Sequence, residues 1–178
     1  LNLSNYHFFK KILKNVNYNS LIEFGSNIGA NITVIKKINR KLKNISAIEI
    51  NKKAAIILKK NHKNVIVYNT NIGSFLPKKK FDLVLCKGIL IHINPNQLKN
   101  VYEKIYKSFK KYILIAEYYS SKPVKIIYRK HKEKLFKRDF AGELLKKYKN
   151  LKLVKYGFSY HKDKYPQDDI TWFLLKKY

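Results

Sequence analysis

Ser20-Leu21-Ile22-Glu23-Phe24-Gly25-Ser26-Asn27-Ile28-Gly29, continued by Ala30-Asn31-Ile32-Thr33-Val34-Ile35-Lys36-Lys37-Ile38, is the stretch that decides the fold. Leu21 to Phe24 is a short apolar run of the kind that fills a strand covered on both faces. A loop with glycine at 25 and 29 follows. From Ile28 the apolar positions fall at 28, 32, 35 and 38, which is helical spacing. Strand, glycine turn and helix bring a ligand close to bare backbone at a helix N-terminus, where unpaired N–H groups and the positive end of the dipole lie. Glu23 stands near the carboxyl end of the strand, where ligands of open α/β sheets bind.

Ile45-Ser46-Ala47-Ile48-Glu49-Ile50 reads as the next strand, and Glu49 lies 24 residues after Gly25. An acid near that distance, closing the second strand, is placed to accept hydrogen bonds from both hydroxyls of a ribose. A solvated strand-end glutamate is the duller alternative. It is weakened by scarcity, because the chain has 11 acidic residues against 39 basic ones. Two of those few acids occupy the two positions that the chemistry asks for.

Working outward, an amphipathic helix is expected over Asn5 to Val16, with apolar residues at 8, 9, 12, 13 and 16. Asn51 can cap a helix through Leu58, ending near Asn61. Val65–Tyr68 and Phe81–Cys86 read as the third and fourth strands, and Tyr112–Tyr119 as the fifth. Between the last two, Asn94, Pro95 and Gln97 resemble the capping box of a helix that runs to Phe109. Such alternation predicts a parallel sheet covered on both faces. From Ser120 to Arg138 the pattern dissolves into basic and aromatic residues. Asp139 can cap a helix to Tyr148, and Leu151–Tyr160 with Ile170–Leu175 reads as a closing hairpin, hence an antiparallel pair.

The 178 residues are expected to form one domain, 46% hydrophobic, with a net charge of +28 and a pI near 10.0. No apolar run reaches the ~18 residues that span a bilayer. One cysteine, Cys86, rules out an internal disulfide framework and fits the cytoplasm; at the end of a buried strand it reads as a small core residue. The chain begins at Leu1 and has no methionine, so a trimmed native start is expected. Only three of the 39 basic residues are arginine, which leaves 36 lysines, and these run evenly from Lys10 to Lys177. A solvated lysine surface is the preferred account, with nucleic-acid binding as its rival.

Five parallel strands, a glycine loop after the first, an acid ending the second and a closing hairpin together resemble the class I S-adenosylmethionine-dependent methyltransferases. A nicotinamide-binding domain fits worse, since Gly25-x-Asn27-x-Gly29 has no third glycine in the required place. Within that class, EFGSNIGANI (23–32), IEINKKAA (48–55), FDLVLCKGILIHINP (81–95), ILIAEYYS (113–120), YRKHKEKLFKRDFAGE (128–143) and YPQDDITWFLLKK (165–177) are similar to the pseudaminic acid biosynthesis-associated methylases. The resemblance implies a three-layer, Rossmann-like α/β fold of seven strands, the last inserted antiparallel beside the fifth. It implies S-adenosyl-L-methionine as cofactor, with S-adenosyl-L-homocysteine as product. Glu23, Gly25, Ser26, Asn27 and Gly29 would wrap the methionine moiety, with Glu23 facing its ammonium. Glu49 would hold the ribose and Ile50 would lie against the adenine. Asn71 and Ile72 would meet the adenine amino group, and Lys87, Gly88 and His92 would stand beside the sulfonium. Asn27 departs from the commoner G-x-G-x-G loop, although asparagine tolerates left-handed backbone better than most residues.

Methyl transfer to a hydroxyl or an amine needs a group to take the acceptor's proton. His92, Tyr118 and His131 are the catalytic candidates, alongside His161, Tyr119 and Tyr128. The segment Tyr128-Arg129-Lys130-His131 to Phe136-Lys137-Arg138-Asp139 carries two of the three arginines among aromatic residues. With Tyr119, Tyr128, Arg129, Lys137 and Arg138 as acceptor-binding residues, the 120–138 insertion suits an acidic sugar or sugar nucleotide. Asp168 and Asp169 are turn residues after Pro166 or contributors to that site. Two other functions remain open: an RNA methyltransferase served by the charge, and a cofactor-binding partner subunit without catalysis.

Overall fold

The computed structural model describes the backbone of residues 2–128 and 131–178, and the side chains of 2–126 and 135–178. Nine strands and five helices are described: α1 (Leu3–Leu13), β1 (Ser20–Phe24), α2 (Ala30–Ile38), β2 (Asn44–Ile48), α3 (Lys52–Asn61), β3 (Val65–Tyr68), β4 (Phe81–Lys87), α4 (Pro95–Ser108), β5 (Phe109–Glu117), β6 (Val124–Tyr128), β7 (His131–Lys137), α5 (Phe140–Lys147), β8 (Leu151–Ser159) and β9 (Ile170–Lys177). Seven strands form one sheet in the order β3-β2-β1-β4-β5-β9-β8. The first five pair in parallel. β9 lies antiparallel between β5 and β8.

Burial explains the parallel centre. Leu21, Ile22 and Phe24 of β1, and Leu83, Val84, Leu85 and Cys86 of β4, are fully buried, so both faces of these strands must be covered. One face packs under α1, α2 and α3 through Phe9, Ile12, Ile35 and Leu58. The other packs under α4 and α5 through Leu98, Ile105, Phe140 and Leu144. The result is a three-layer α/β domain, as expected.

Local signals set several helix starts. Asn51 accepts the Ala54 N–H, Asn94 accepts the Asn96 N–H, and Asp139 accepts the Gly142 N–H. Ile28 departs from expectation. It precedes α2 and is 44% exposed, because Gly29 takes φ +86° and the helix cannot begin before that residue. The first helix stops at Leu13, short of Val16, where Asn15 turns left-handed.

The 120–138 stretch departs more. β6 and β7 pair as an antiparallel hairpin outside the main sheet. Its apolar positions Val124 and Ile126 alternate with Lys125, and only one side of so short a strand packs on the core, so lysine dilutes the signal. No described helix is long and apolar enough to cross a membrane.

Candidate cofactor site

The sheet order reverses between β1 and β4: β2 and β3 lie to one side, β5 to the other. In open α/β sheets, ligands settle outside the carboxyl ends of the strands at such a switch point. The three segments that leave those ends carry the predicted residues. Gly25 to Gly29 follow β1, Glu49 and Ile50 follow β2, and Gly88 to His92 follow β4.

The glycine loop is pinned from below and closed by an acid. The Gly25 and Ser26 N–H groups both donate to the Ile48 carbonyl, at 2.9 and 3.0 Å. The Ser26 hydroxyl donates to the Glu23 carbonyl at 3.1 Å. Glu49 is 8% exposed, and its two oxygens accept the Asn27 and Asn51 N–H groups, each at 2.7 Å. Each oxygen keeps a lone pair beyond that bond. Gly25, Asn27 and Gly29 take φ of +74°, +47° and +86°, so the loop runs through the left-handed region at alternate residues.

A cavity of about 250 Å³ opens against these groups. Gly25 lines it from the segment after β1, Ile48, Glu49 and Ile50 from the end of β2, Asn71 and Ile72 from the segment after β3, and Ile89, His92 and Ile93 from the segment after β4, with Gln97 of α4. The space is smaller than the ~300 Å³ from which whole-ligand pockets usually start, so it suits the flat apolar part of a longer ligand. At Gly88, φ is +65° and an added Cβ would meet nothing within 4 Å, which leaves open space beside the end of β4.

Glu23 lies beneath the loop, fully buried. Its Oε1 accepts the Asn31 side-chain N–H at 2.7 Å, and its Oε2 has no hydrogen-bond partner among the described residues. Burial pushes its carboxyl up to about 7, against the pull of Asn31, Lys87 and Ser26. Lys87 is lowered by its own burial, while Glu23, Glu117 and Asp168 act in the other direction.

Solved structures share this architecture. The methyltransferase domain of bacterial CtHen1 superposes with a TM-score of 0.73 at 13% identity over 98% of both chains. The glycopeptide N-methyltransferase MtfA, complexed with S-adenosyl-L-homocysteine, superposes at 0.74 and 9% identity, over 98% of this chain and 89% of that one. N-methyltransferase NodS from Bradyrhizobium japonicum WM9, also with S-adenosyl-L-homocysteine, gives 0.72 at 13% identity over 97% and 85%. The chain has the class I methyltransferase fold. No protein-family model and no curated protein sequence matches it.

In that fold most of the residues expected at the cofactor come together, while Lys87 and Gly88 lie outside the cavity lining. Gly25, Glu49, Ile50, Asn71, Ile72 and His92 line one cavity, with Ser26, Asn27 and Gly29 in the loop beside it and Glu23 below. The Asn71 side chain already accepts the Gly73 N–H at 2.7 Å, capping a 3₁₀ turn over Ile72–Ser74. The buried unpartnered oxygen of Glu23 and the remaining lone pairs of Glu49 fit a ligand with an ammonium and a diol.

The acceptor candidates divide. The Tyr118 hydroxyl donates to Asp168, and Lys137 lies 5.3 Å from the centre of the Tyr118 ring, so these three gather where β5 ends. Tyr119 is 42% exposed, with its ring 5.8 Å from that of Phe173. Arg138 is not brought to this group. Its Nε donates to Glu143 at 2.7 Å, Tyr102 donates to the other Glu143 oxygen, and all three line a separate cleft between α4 and α5. Arg129 and the side chains of Tyr128 and His131 lie outside the described residues. His161 pairs with Asp169 at 2.8 Å on the surface. Sequence reasoning passed over Asn31, which orients Glu23, and Glu117, which is buried at the end of β5. Glu117 could have been found as Glu23 and Glu49 were, as an acid ending an apolar run in an acid-poor chain.

Proposed function

We propose that this protein is an S-adenosyl-L-methionine-dependent methyltransferase that acts on a small acidic acceptor, a nonulosonic acid such as pseudaminic acid or a related surface-glycan precursor. The observation that carries the cofactor reading is Glu49, a shielded carboxylate on the cavity wall, held by the Asn27 and Asn51 N–H groups with lone pairs to spare. That is the acceptor pattern two ribose hydroxyls require. The Glu23 Oε2 is the counterpart for an ammonium group. Ile50 and Ile72 offer flat apolar contact to a purine, with Asn71 at its edge.

When bound, the cofactor supplies a methyl group on a positively charged sulfur. The chain's own task is to align the acceptor and remove its proton. Tyr118 is arranged for the second part. Its hydroxyl can take a proton from an acceptor O–H or N–H while passing its own to Asp168, its hydrogen-bond partner. His92, on the cavity wall, is the other base within the described site. Lys137 and Lys87 place positive charge at the carboxyl ends of β4 and β5, which favours an acidic acceptor. The specific acceptor class rests on the resemblance of the segments quoted above.

The RNA alternative draws on the net charge. A crevice lined by Lys79, Lys80, Lys110 and Lys111 opens at the amino ends of the strands, the opposite edge of the sheet from Glu49. Its charge is therefore not focused on the proposed site. Calorimetric titration with S-adenosyl-L-homocysteine, on wild type and Glu49→Ala, tests the cofactor reading. Micromolar binding lost in the variant supports it; binding that survives unchanged removes the ribose assignment. Turnover on acidic sugar nucleotides against RNA, across a salt series, then separates the acceptors. Binding without turnover on either, or on cell extract, would favour a non-catalytic partner subunit.

A further inference from the structure

Glu117 ends β5 at 2% exposure and serves none of the steps above. Its Oε1 accepts the Ile89 N–H at 3.0 Å and the Leu90 N–H at 2.9 Å. The Ile91 N–H also favours its charged form. These amides open the 3₁₀ turn Leu90–His92, which follows β4, and Ile89, which precedes it, makes no side-chain cap. The first N–H groups of a helical turn have no partners within it. Glu117 satisfies them from the neighbouring strand, 28 residues away in sequence from Ile89.

The segment so held lines the same cavity as Glu49. Ile89, His92 and Ile93 all line the cavity. The Ile89 side chain also stands over the glycine loop, so that a Cβ on Gly25 would lie 2.6 Å from it. A shift of the Ile89 backbone therefore changes both the width of the cavity and the cover over Gly25. The buried Oε2 of Glu117 has no partner among the described residues, and burial raises the carboxyl to about 7. A side chain needed only for packing would carry no such penalty at this position.

We infer that Glu117 is a positioning residue of the cofactor site, which fixes the β4-side wall at the separation from Glu49 that the bound nucleoside requires. The inference rests on the cofactor reading above. It assigns Glu117 no contact with the reacting atoms; the residue acts through the backbone of Ile89, Leu90 and Ile91.

The test compares wild type, Glu117→Gln, Glu117→Asp and Glu117→Ala in two measurements on the whole chain. The first is hydrogen exchange of the 89–91 amides without ligand; the second is calorimetric titration with S-adenosyl-L-homocysteine. Glutamine keeps a carbonyl oxygen in place of Oε1, so exchange and affinity are expected within about threefold of wild type. Aspartate keeps the charge but withdraws it by one methylene, and alanine removes the acceptor. Both are expected to speed exchange at least tenfold and weaken binding at least tenfold, with kcat at saturating cofactor changed far less than KM. The inference is overturned if alanine leaves exchange or affinity unchanged, if glutamine is as damaging as alanine, or if glutamine binds normally but abolishes turnover. Wild type that fails to bind the product sinks the cofactor reading instead, and the exchange measurement still reports whether Glu117 holds the wall.

Discussion

The backbone N–H of Asn27, at the left-handed centre of the glycine loop, donates to Oε2 of Glu49 at 2.7 Å, and so joins the carboxyl ends of the first two strands. Oε1 of the same carboxylate holds Asn51, which caps α3. One side chain therefore fixes a loop, a helix start and the wall of a cavity. Glu49→Gln must turn an N–H₂ toward one of those two N–H donors. Hydrogen bonds to charged groups contribute ~1.5–3 kcal/mol. A loss of roughly 1–2 kcal/mol in denaturant unfolding is expected, together with weaker S-adenosyl-L-homocysteine binding. Stability equal to wild type would show that the carboxylate does not hold the loop.

Gly25 has two reasons to be glycine, its φ of +74° and Ile89, which a Cβ would approach to 2.6 Å. Gly25→Ala is expected to destabilise the fold by about 1–3 kcal/mol. Adding Ile89→Ala removes the two contacts at 2.6 Å, but keeps the Ile89 Cβ at 2.9 Å and the backbone part. The double variant should thus lose less than the sum of the two single losses in a thermal or denaturant cycle. Strict additivity would place the cost outside the Ile89 Cγ1 and Cδ1 atoms.

Glu23 has its carboxyl raised by burial to about 7, from an ordinary value of 4.5. The folded chain then binds this proton more tightly than the unfolded chain does. Its contribution to stability is full below pH ~4.5 and is lost as the pH rises to about 7. Glu23→Gln should flatten that part of the stability curve and raise stability at pH 8. Ligand binding runs the other way, because an ammonium partner needs the ionised carboxylate. Affinity for S-adenosyl-L-homocysteine should fall in wild type as the pH drops below 7, and vary less in the variant. A wild-type affinity that is flat from pH 5 to 8 would separate Glu23 from the cofactor.

Tyr118 and Asp168 touch each other and lie outside the cavity lining. Tyr118→Phe is therefore expected to leave cofactor affinity within a factor of about two. It should lower kcat by about 10²–10⁴, the usual range for loss of a general base. Asp168→Asn should lower kcat less, since it removes the proton's destination and leaves a hydrogen-bond acceptor. Wild-type turnover in Tyr118→Phe would move the proton transfer to His92.

The sequence by itself determined what local physics controls. Nearly continuous apolar runs at Leu21–Phe24 and Phe81–Cys86, broken only by Glu23 and Asp82, read as strands buried on two sides, and Asn51, Asn94 and Asp139 announce helices through groups only two or three residues away. Glu23, Gly25 and Glu49 were legible for the same reason, since glycine spacing and a scarce acid at a strand end are features of single short segments. What only the tertiary structure decided depends on which strands become neighbours. The switch point between β1 and β4 made one cavity from Gly25, Glu49 and His92. The placement of β5 beside β4 brought Glu117 to the Ile89 and Leu90 amides. The packing of α5 near α4 gave Arg138 a partner in Glu143, away from the Tyr118–Asp168 group, although an acceptor-binding role was expected for it. A side chain's partner across the sheet leaves no periodic trace in its own segment, because hydrogen bonds and ion pairs depend on distance in space while periodicity records only distance along the chain.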